Sequence, residues 1–217
     1  MNSFITTLYP SVDLIDSVVF KDINADETIY FSKPFLKAFE VSNPQIEFKY
    51  ISIADADKNT VALALVQVIS LNVEGMLKNI KVAPFVRKGL GLLFCNEHIK
   101  IMFCGNVFLS GEHGISTSKN VSKKNIYSQI GTALDAVAAN TKQMHAIFIK
   151  DFKMASLVHT QSFLNFGYSE IKVEPNMIIQ LKPEWKTFED YKNILKSKYR
   201  VKANKADSKS STLETRL

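Results

Sequence analysis

The sequence predicts an α/β (α+β) fold, in which a mixed sheet is flanked by helices. Gln45 to Ile53 alternates apolar and polar residues, which is typical of a half-buried strand. Thr60 to Leu71 is almost continuously apolar, as a central strand covered on both faces would be. Ile99 to Cys104 is a short third apolar run, and a helical apolar stripe begins soon after it, near Ser122. The length of 217 residues suits one large domain or one and a half smaller ones.

The first part of the chain contains a helix and a hairpin with recognisable ends. Ser32 and Pro34 predict a helix start, because serine can cap the first turn and proline suits it. Asn43-Pro44 ends that helix. The polar stretch 54–59 predicts a hairpin connection, since aspartate and asparagine tolerate turn conformations. Gln67, inside the apolar run, is interpreted as a hydrogen-bonded core amide; the alternative is an amide that points into a cleft.

Two further patterns lie between the apolar runs. Residues 73–82 repeat apolar side chains at helical spacing, and Pro84 ends that helix. Arg87 to Gly91 looks like a phosphate-binding loop, but it is too short for the Walker spacing. We interpret it as a turn with solvated cations.

The connection that follows the third apolar run predicts an anion site. Gly105 interrupts the run, and a polar loop containing Gly111 and Gly114 leads to a helix with Ser122 at its N-cap. The apolar stripe of that helix comprises Ile126, Ile130, Leu134, Val137 and Ala138. A strand, a glycine-bearing loop and a helix N-terminus together offer free backbone N–H groups and the positive end of a helix dipole. We therefore expect the amides of residues 105–116 to face an open cleft.

The remaining elements complete this unit. His145 to Phe148 predicts a strand, and Tyr168–Val173 and Met177–Leu181 predict two more. A helix through Leu157, Val158 and Leu164 should lie before them. It should end at Gly167, the left-handed residue that commonly follows a helix.

Composition indicates a globular protein in a reducing compartment. Cys95 and Cys104 lie in apolar surroundings without CxxC spacing, which predicts free buried thiols. No apolar run approaches the roughly 20 residues of a membrane span. The N-terminal stretch has no early basic residue and contains Asp13 and Asp16, which is unlike a signal peptide. We therefore expect a cytoplasmic protein.

The histidines have no metal-ligand spacing: His98, His113, His145 and His159.

The order of these elements resembles the GNAT-like acyl-CoA N-acyltransferase superfamily. Phe163 to Tyr168, followed by Met177 to Leu181, looks like the closing segment of such folds. Trp185 to Tyr191, running into Lys198-Tyr199-Arg200, is similar to the Fem-type (peptidoglycan aminoacyltransferase-like) branch, in which two such lobes are joined. The likeness covers most of residues 45–205. It implies a mostly antiparallel central sheet, a lobe over residues 1–190, and a basic helix and linker over 191–217 that lead to a second lobe.

The resemblance also implies a donor site. The family's pyrophosphate motif is Gln or Arg, two residues, Gly, one residue, then Gly or Ala, and its positional equivalent here is Gly111 to Ser116. Gly114 matches, whereas Gly111 and Ser116 replace the other two conserved types. By that likeness, Gly111, Gly114, Ile115 and Ser116 would hold acyl-CoA or an aminoacyl-tRNA. Glu112 or His113 would remove a proton from the attacking amine; the alternative is that both are simply exposed loop residues.

The positive charge is concentrated at the end of the chain. Residues 1–181 hold 17 Lys/Arg and 16 Asp/Glu, whereas residues 182–217 hold 10 and 5. If residues 188–209 form one helix, an apolar face continues into a stripe of lysines, and burying that stripe would be prohibitive. The helix should then leave the globule. The stripe and the predicted anion-binding set together comprise Lys198, Arg200, Lys202, Lys205 and Lys209.

Two functions remain open from the residues. The first is an N-acyltransferase-like domain that transfers an acyl or aminoacyl group from a small-molecule or tRNA-borne donor to an amine. The second is a non-catalytic module of the same GNAT-like fold that docks a partner, such as RNA or a second lobe, through its basic C-terminal helix. A solvated, fraying end is the simplest alternative for that helix.

Overall fold

A computed structural model describes residues 4–23, 28–72, 98–119, 121–173, 179–211 and 213. The chain divides into two compact units, Met1–Val173 and Glu174–Leu217. The helix predicted at 73–82, the turn at 87–91 and Cys95 lie outside the described residues. In the part that is described, no helix is long and apolar enough to cross a membrane.

Within its described residues, the first unit is built on a six-stranded mixed sheet. Its strands are β1 (Ile5–Tyr9), β2 (Ile46–Ala54), β3 (Thr60–Asn72), β4 (His98–Cys104), β5 (Ile115–Thr117) and β6 (Met144–Ile149). The main order is β1-β2-β3-β4-β6, and β5 pairs with β3. Pairing is antiparallel everywhere except between β4 and β6, which are parallel. The predicted class, a mixed and mostly antiparallel central sheet flanked by helices, is confirmed.

Helices cover both faces of this sheet. They are α1 (Ser17–Asp22), α2 (Lys33–Ser42), α3 (Lys123–Ala139) and α4 (Leu157–Thr160), with 3-10 turns at Val12–Leu14, Ile29–Phe31, Met154–Ser156 and Gln161–Phe166. Successive side chains of β3 point to opposite faces of the sheet, so they belong to two different hydrophobic clusters. Ala64 and Val66 belong to the cluster that includes α3, whereas Leu63 and Leu65 belong to the cluster that includes α1 and α2. A strand buried on both faces explains why its sequence is continuously apolar.

The predicted helix start and hairpin are confirmed by their hydrogen bonds. Ser32 Oγ accepts a bond from Phe35 N (3.4 Å), and Pro34 lies in the first turn of α2. In the hairpin, Asp55 Oδ1 accepts from Asp57 N (3.0 Å) and from Asn59 N (2.9 Å). One aspartate thus satisfies two backbone donors and sets the turn between β2 and β3.

Helix α3 follows the predicted apolar stripe. Ile126, Ile130 and Leu134 are fully buried against the sheet, and Ser122 occupies the N-cap position, although its side chain makes no capping bond. Gly131 lies on the same helix, at the position on which the ring of Phe166 packs. A Cβ at Gly131 would be 2.7 Å from two atoms of that ring. Glycine there allows the 3-10 turn that carries Phe166 to approach α3.

The segment between β6 and Gly167 is helical, as predicted, but not all of its apolar residues face the core. Phe163 is buried, whereas Val158 and Leu164 are 69% and 48% exposed. The segment alternates 3-10 and α turns, and a change from 3.6 to about 3.0 residues per turn alters which positions share a face. Gly167 ends it with φ +80°, as predicted.

The strand predicted at Tyr168–Val173 is wrong. The structure has no regular element there, and Ile171 and Val173 are 69% and 75% exposed. Apolar residues form a strand only where a neighbouring strand satisfies their backbone groups, and no described strand pairs with these residues. Of the strand predicted at Met177–Leu181, residues 177 and 178 lie outside the described part, and 179–181 have no regular structure.

In the described part of the second unit, two helices replace the single helix predicted over residues 188–209. They are α5 (Phe188–Ile194) and α6 (Ser197–Ser210), separated by extended backbone at Leu195 and Lys196. Lys192 Nζ contacts Asp207 Oδ2 at 2.5 Å, although these residues are 15 apart in the chain. In one straight helix they would be about 22 Å apart. The contact therefore requires the break.

Candidate functional site

The glycine-bearing loop that was predicted to bind an anion begins and ends beside the same residue of β3. Gly105 N donates to Leu65 O (2.9 Å), and Leu65 N donates to Gly114 O (2.9 Å), so one residue of β3 holds both ends of the β4–β5 loop (Gly105–Gly114). Gly105 has φ +138°, and a Cβ at Gly114 would lie 3.0 Å from Gly105 Cα. Both ends of the loop thus require glycine.

Lys150 holds the interior of this loop. Its Nζ donates to Asn106 O (2.9 Å) and Leu109 O (2.7 Å) and forms an ion pair with Asp151. The Lys150 and Asp151 side chains are 21% and 22% exposed, so this ammonium is largely withdrawn from water. Sequence patterns did not identify Lys150. The one signal in the sequence was a lysine placed directly after the apolar strand β6. That β6 runs parallel to β4 is seen only in the structure.

Gln67 supports the same loop from within the sheet. It is fully buried on β3, and its Oε1 accepts from Val107 N (2.8 Å). Its Nε2 has no hydrogen-bond partner within the described part of the chain. The core-amide interpretation is therefore confirmed for the oxygen, whose role is to hold the first turn of the β4–β5 loop.

Half of the backbone N–H groups of the β4–β5 loop are hydrogen-bonded within the chain. The amides of five loop residues donate to other groups of the chain: Gly105, Val107, Phe108, Leu109 and His113. The expectation that they face an open cleft is wrong for these five, because each is satisfied by a nearby carbonyl or side-chain oxygen. A cavity of about 180 Å³ lies elsewhere, between Leu8 and Ile51 of the sheet and Val137 of α3.

Glu112 and His113 turn toward different parts of the fold. Glu112 Oε2 accepts a hydrogen bond from Ser156 Oγ (2.8 Å), next to α4. The His113 ring packs on Tyr30, with centroids 4.1 Å apart and planes inclined by 43°. The two groups predicted as alternative bases therefore occupy separate environments.

The surroundings of His113 favour its uncharged form. Partial burial lowers the pKa of His113 below its usual value, and the positive charges of Lys153 and Lys150 lower it further. Asp151 and the backbone of Ser110 oppose this change but do not reverse it. At neutral pH the imidazole is uncharged and able to accept a proton.

The other predicted donor-binding residues flank these two side chains. Gly111 has φ +110°, and a Cβ there would be 3.0 Å from His113 Nε2. Ile115 and Ser116 belong to β5 and pair with Ala64 and Leu63 of β3. Glu112 and His113 are the titratable side chains of this stretch, and glycine at position 111 allows the backbone to pass close to the histidine ring.

The predicted basic set is only partly brought together. Lys198, Lys202 and Lys205 are exposed on α6, whereas Arg200 is partly buried and donates to Asn193 O (3.3 Å). At about 100° per residue, Arg200 projects on the side of α6 away from the three lysines. In the described ranges, no group of three or more His, Cys, Asp or Glu side chains could hold a metal ion.

Comparisons with known proteins leave the family undecided. No family model matches the chain, and no curated protein matches it. A crystal structure described as that of a possible acetyltransferase from Clostridium difficile 630 is similar, with a TM-score of 0.42 and 9% identity over 82% of this chain and 99% of that chain. At that TM-score the likeness supports no conclusion about family or activity.

Proposed function

We propose that the first unit is an N-acyltransferase-like domain that transfers an acyl or aminoacyl group to an amine. The observation that carries the proposal is His113, a histidine kept uncharged on a glycine-bearing loop between β4 and α3. The sequence resemblance to the GNAT-like superfamily supports it through the strand, loop, long helix and strand from β4 to β6, although the closing strand expected at Tyr168–Val173 is absent.

His113 would act as the general base. An amine attacks a carbonyl carbon only through a free nitrogen lone pair, and a proton must leave that nitrogen as the new C–N bond forms. The uncharged imidazole would accept the proton. The bond from the carbonyl carbon to the donor's sulfur or oxygen then breaks, and the departing thiol or hydroxyl takes up a proton, so the base is regenerated.

Glu112 is suited to a positioning role. Its hydrogen bond from Ser156 holds the carboxylate toward α4 and away from the ring of Tyr30, against which His113 lies. A carboxylate held in this way can attract a cationic amine before the amine loses its proton. We therefore assign proton removal to His113 and amine attraction to Glu112.

Two donors fit the proposal, acyl-CoA and aminoacyl-tRNA, and binding measurements separate them. Thermal unfolding of the full chain is followed with coenzyme A, acetyl-CoA, an uncharged tRNA and an aminoacyl-tRNA. A ligand that binds only the folded state at about 100 times its Kd stabilises that state by about 2.7 kcal/mol, which is easily detected. Stabilisation by acetyl-CoA, or by the aminoacyl-tRNA beyond that given by the uncharged tRNA, identifies the donor, and the absence of both effects would contradict the proposal.

Turnover tests the assignment of His113. With the donor that binds, release of free thiol or tRNA is followed against a panel of polyamine, amino-sugar and lysyl-peptide acceptors. His113→Gln should lower kcat by roughly 10²–10⁴, the usual contribution of a general base. His159→Gln, a substitution of the histidine on α4, is the matched control and should leave kcat unchanged. Equal effects of the two substitutions would contradict the role given to His113.

A further inference from the structure

Helix α6 presents its lysines on the side opposite the one that contacts α5. At about 100° per residue, Lys198, Lys202 and Lys205 fall within an arc of about 60°, and Asp207 lies about 180° from Lys198. All three lysines are exposed. We call these three residues the lysine face. It looks away from the contact that holds α6 in place.

Contacts on the opposite side fix the direction of the lysine face. Asp207 Oδ2 lies 2.5 Å from Lys192 Nζ, which is also 2.7 Å from Glu189 Oε2. Lys192 is only 7% exposed, whereas the side chains of Glu189 and Asp207 remain 64% and 46% exposed. Arg200 adds its bond to Asn193 O. Because two separate contacts join α6 to α5, the helix cannot simply rotate about its axis to hide the lysines.

Three acidic residues of this unit make their contacts away from the lysine face: Glu189, Asp190 and Asp207. Glu189 and Asp207 neutralise Lys192, and Asp190 accepts hydrogen bonds from the backbone of Lys186 and Thr187 at the start of α5. Within the described residues, no member of the lysine face forms an ion pair. Its positive charge is therefore available to an external anion.

The composition of α6 favours a nucleic acid over a membrane. A helix that lies on a bilayer needs a broad apolar face, and beyond alanine the apolar residues of α6 are Tyr199 and Val201. The lysines follow one another along the axis at rises of about 4.5–6 Å, which suits a repeating anion. Tyr199 is 53% exposed and lies one turn from Lys202. Exposed aromatic rings beside cations are typical of proteins that bind single strands.

We infer that the lysine face binds the phosphodiester backbone of a single-stranded nucleic acid, with Tyr199 stacking on an adjacent base. The lysines contact phosphates and therefore give affinity without sequence preference. This inference is independent of acyl transfer, since it involves only residues of the second unit.

Fluorescence anisotropy of a labelled uridylate oligonucleotide with the full chain tests the inference. Binding should weaken with KCl at a log–log slope of about −2, the value for three phosphate contacts on a single strand. The variant K198Q/K202Q/K205Q should bind at least about tenfold more weakly at low salt and should lose most of that slope. The variant K124Q/K142Q/K172Q removes the same charge from exposed positions of the first unit and should bind nearly as well as the unmodified chain.

Further measurements separate the inference from its competitors. Tyr199→Ala should weaken uridylate binding about fivefold or more and leave binding to a duplex of the same length unchanged, because only unpaired bases stack on a side chain. Circular dichroism checks that each variant is folded. Four results would overturn the inference: no binding at low salt, equal losses in the two triple variants, tighter binding to phosphatidylglycerol vesicles, or no effect of Tyr199→Ala.

Discussion

Lys150 Nζ donates a 2.7 Å hydrogen bond to the carbonyl oxygen of Leu109, 41 residues earlier in the chain. This bond joins the residue after β6 to the β4–β5 loop, and β6 is itself paired with β4 from Lys100 to Cys104. The loop that carries Glu112 and His113 is therefore held by the sheet on one side and by a lysine on the other. Its conformation depends on contacts that are distant in sequence.

Replacing Lys150 should destabilise the first unit. Lys150→Met keeps much of the aliphatic chain but leaves the carbonyls of Asn106 and Leu109 without their donor and Asp151 without its cation. Hydrogen bonds to charged groups contribute about 1.5–3 kcal/mol each, and partial exposure reduces that, so we expect a loss of about 2 kcal/mol. Urea unfolding measures it. Lys172→Met, at an exposed position, is the control; equal stability of the two variants would show that Lys150 does not hold the loop.

The pKa of His113 should respond to its cationic neighbour. Burial and Lys153 both lower it, so Lys153→Gln should move the His113 titration midpoint to higher pH, toward the usual 6.5. NMR titration of the imidazole protons gives the midpoint without any need for activity. Because folding favours the uncharged ring, the stability contribution of His113 is present above pH 6.5 and is lost as pH falls through the lowered pKa.

A charge-matched substitution distinguishes a local effect from a general one. Lys172→Gln changes the net charge equally but is not among the groups that affect His113. It should leave the midpoint unchanged. An upward move of the same size in both variants would mean that overall charge, and not Lys153, sets the pKa. If acyl transfer depends on His113, the pH profile of kcat/KM should move with the NMR midpoint in Lys153→Gln.

Local sequence patterns predict those elements whose determinants are themselves local. Helix α3 follows from its 3.6-residue stripe, and the β2–β3 hairpin follows from Asp55, which caps its own turn. Strand β1 escapes detection because four of its five residues are exposed, so no burial alternation marks it. The break between α5 and α6 contains neither proline nor glycine. It brings Lys192 against Asp207, and a helical pattern alone does not record such a contact.

The candidate site likewise has features that the sequence reveals and features that only the structure reveals. The glycines at 105, 111 and 114 are visible in the sequence and mark a loop with special backbone geometry. What holds that loop is not visible, because Lys150 and Gln67 are about 40 residues from the groups they bind. A lone glutamine in an apolar strand indicates a buried amide, but only tertiary structure identifies Val107 as its donor.

Gly131 should be intolerant of even a methyl group. A Cβ there would lie 2.7 Å from two atoms of the Phe166 ring, so Gly131→Ala forces that ring to move. Alanine gains about 1 kcal/mol of helix propensity over glycine, but overpacking typically costs about 1–3 kcal/mol. We expect a net loss of up to about 2 kcal/mol by urea unfolding. In Phe166→Leu, which removes the ring, the same Gly131→Ala change should be neutral or stabilising. A loss of equal size in both backgrounds would place the strain elsewhere.

The contact between Lys192 and Asp207 should decide whether α6 stays against α5. Asp207→Asn removes the main partner of a lysine whose pKa is raised by Asp207 and then by Glu189. We expect several-fold faster amide hydrogen exchange in α6, measured by mass spectrometry on the full chain. Glu170→Gln removes a charge from an exposed position of the first unit and should change nothing in α6. The exchanged pair K192E/D207K should restore part of the protection, since it recreates the attraction with opposite signs but places a glutamate beside Glu189. Because the pKa of Lys192 is raised, its contribution persists through neutral pH and is lost only as pH rises beyond 10.5, so protection lost between pH 6 and pH 9 would contradict this account.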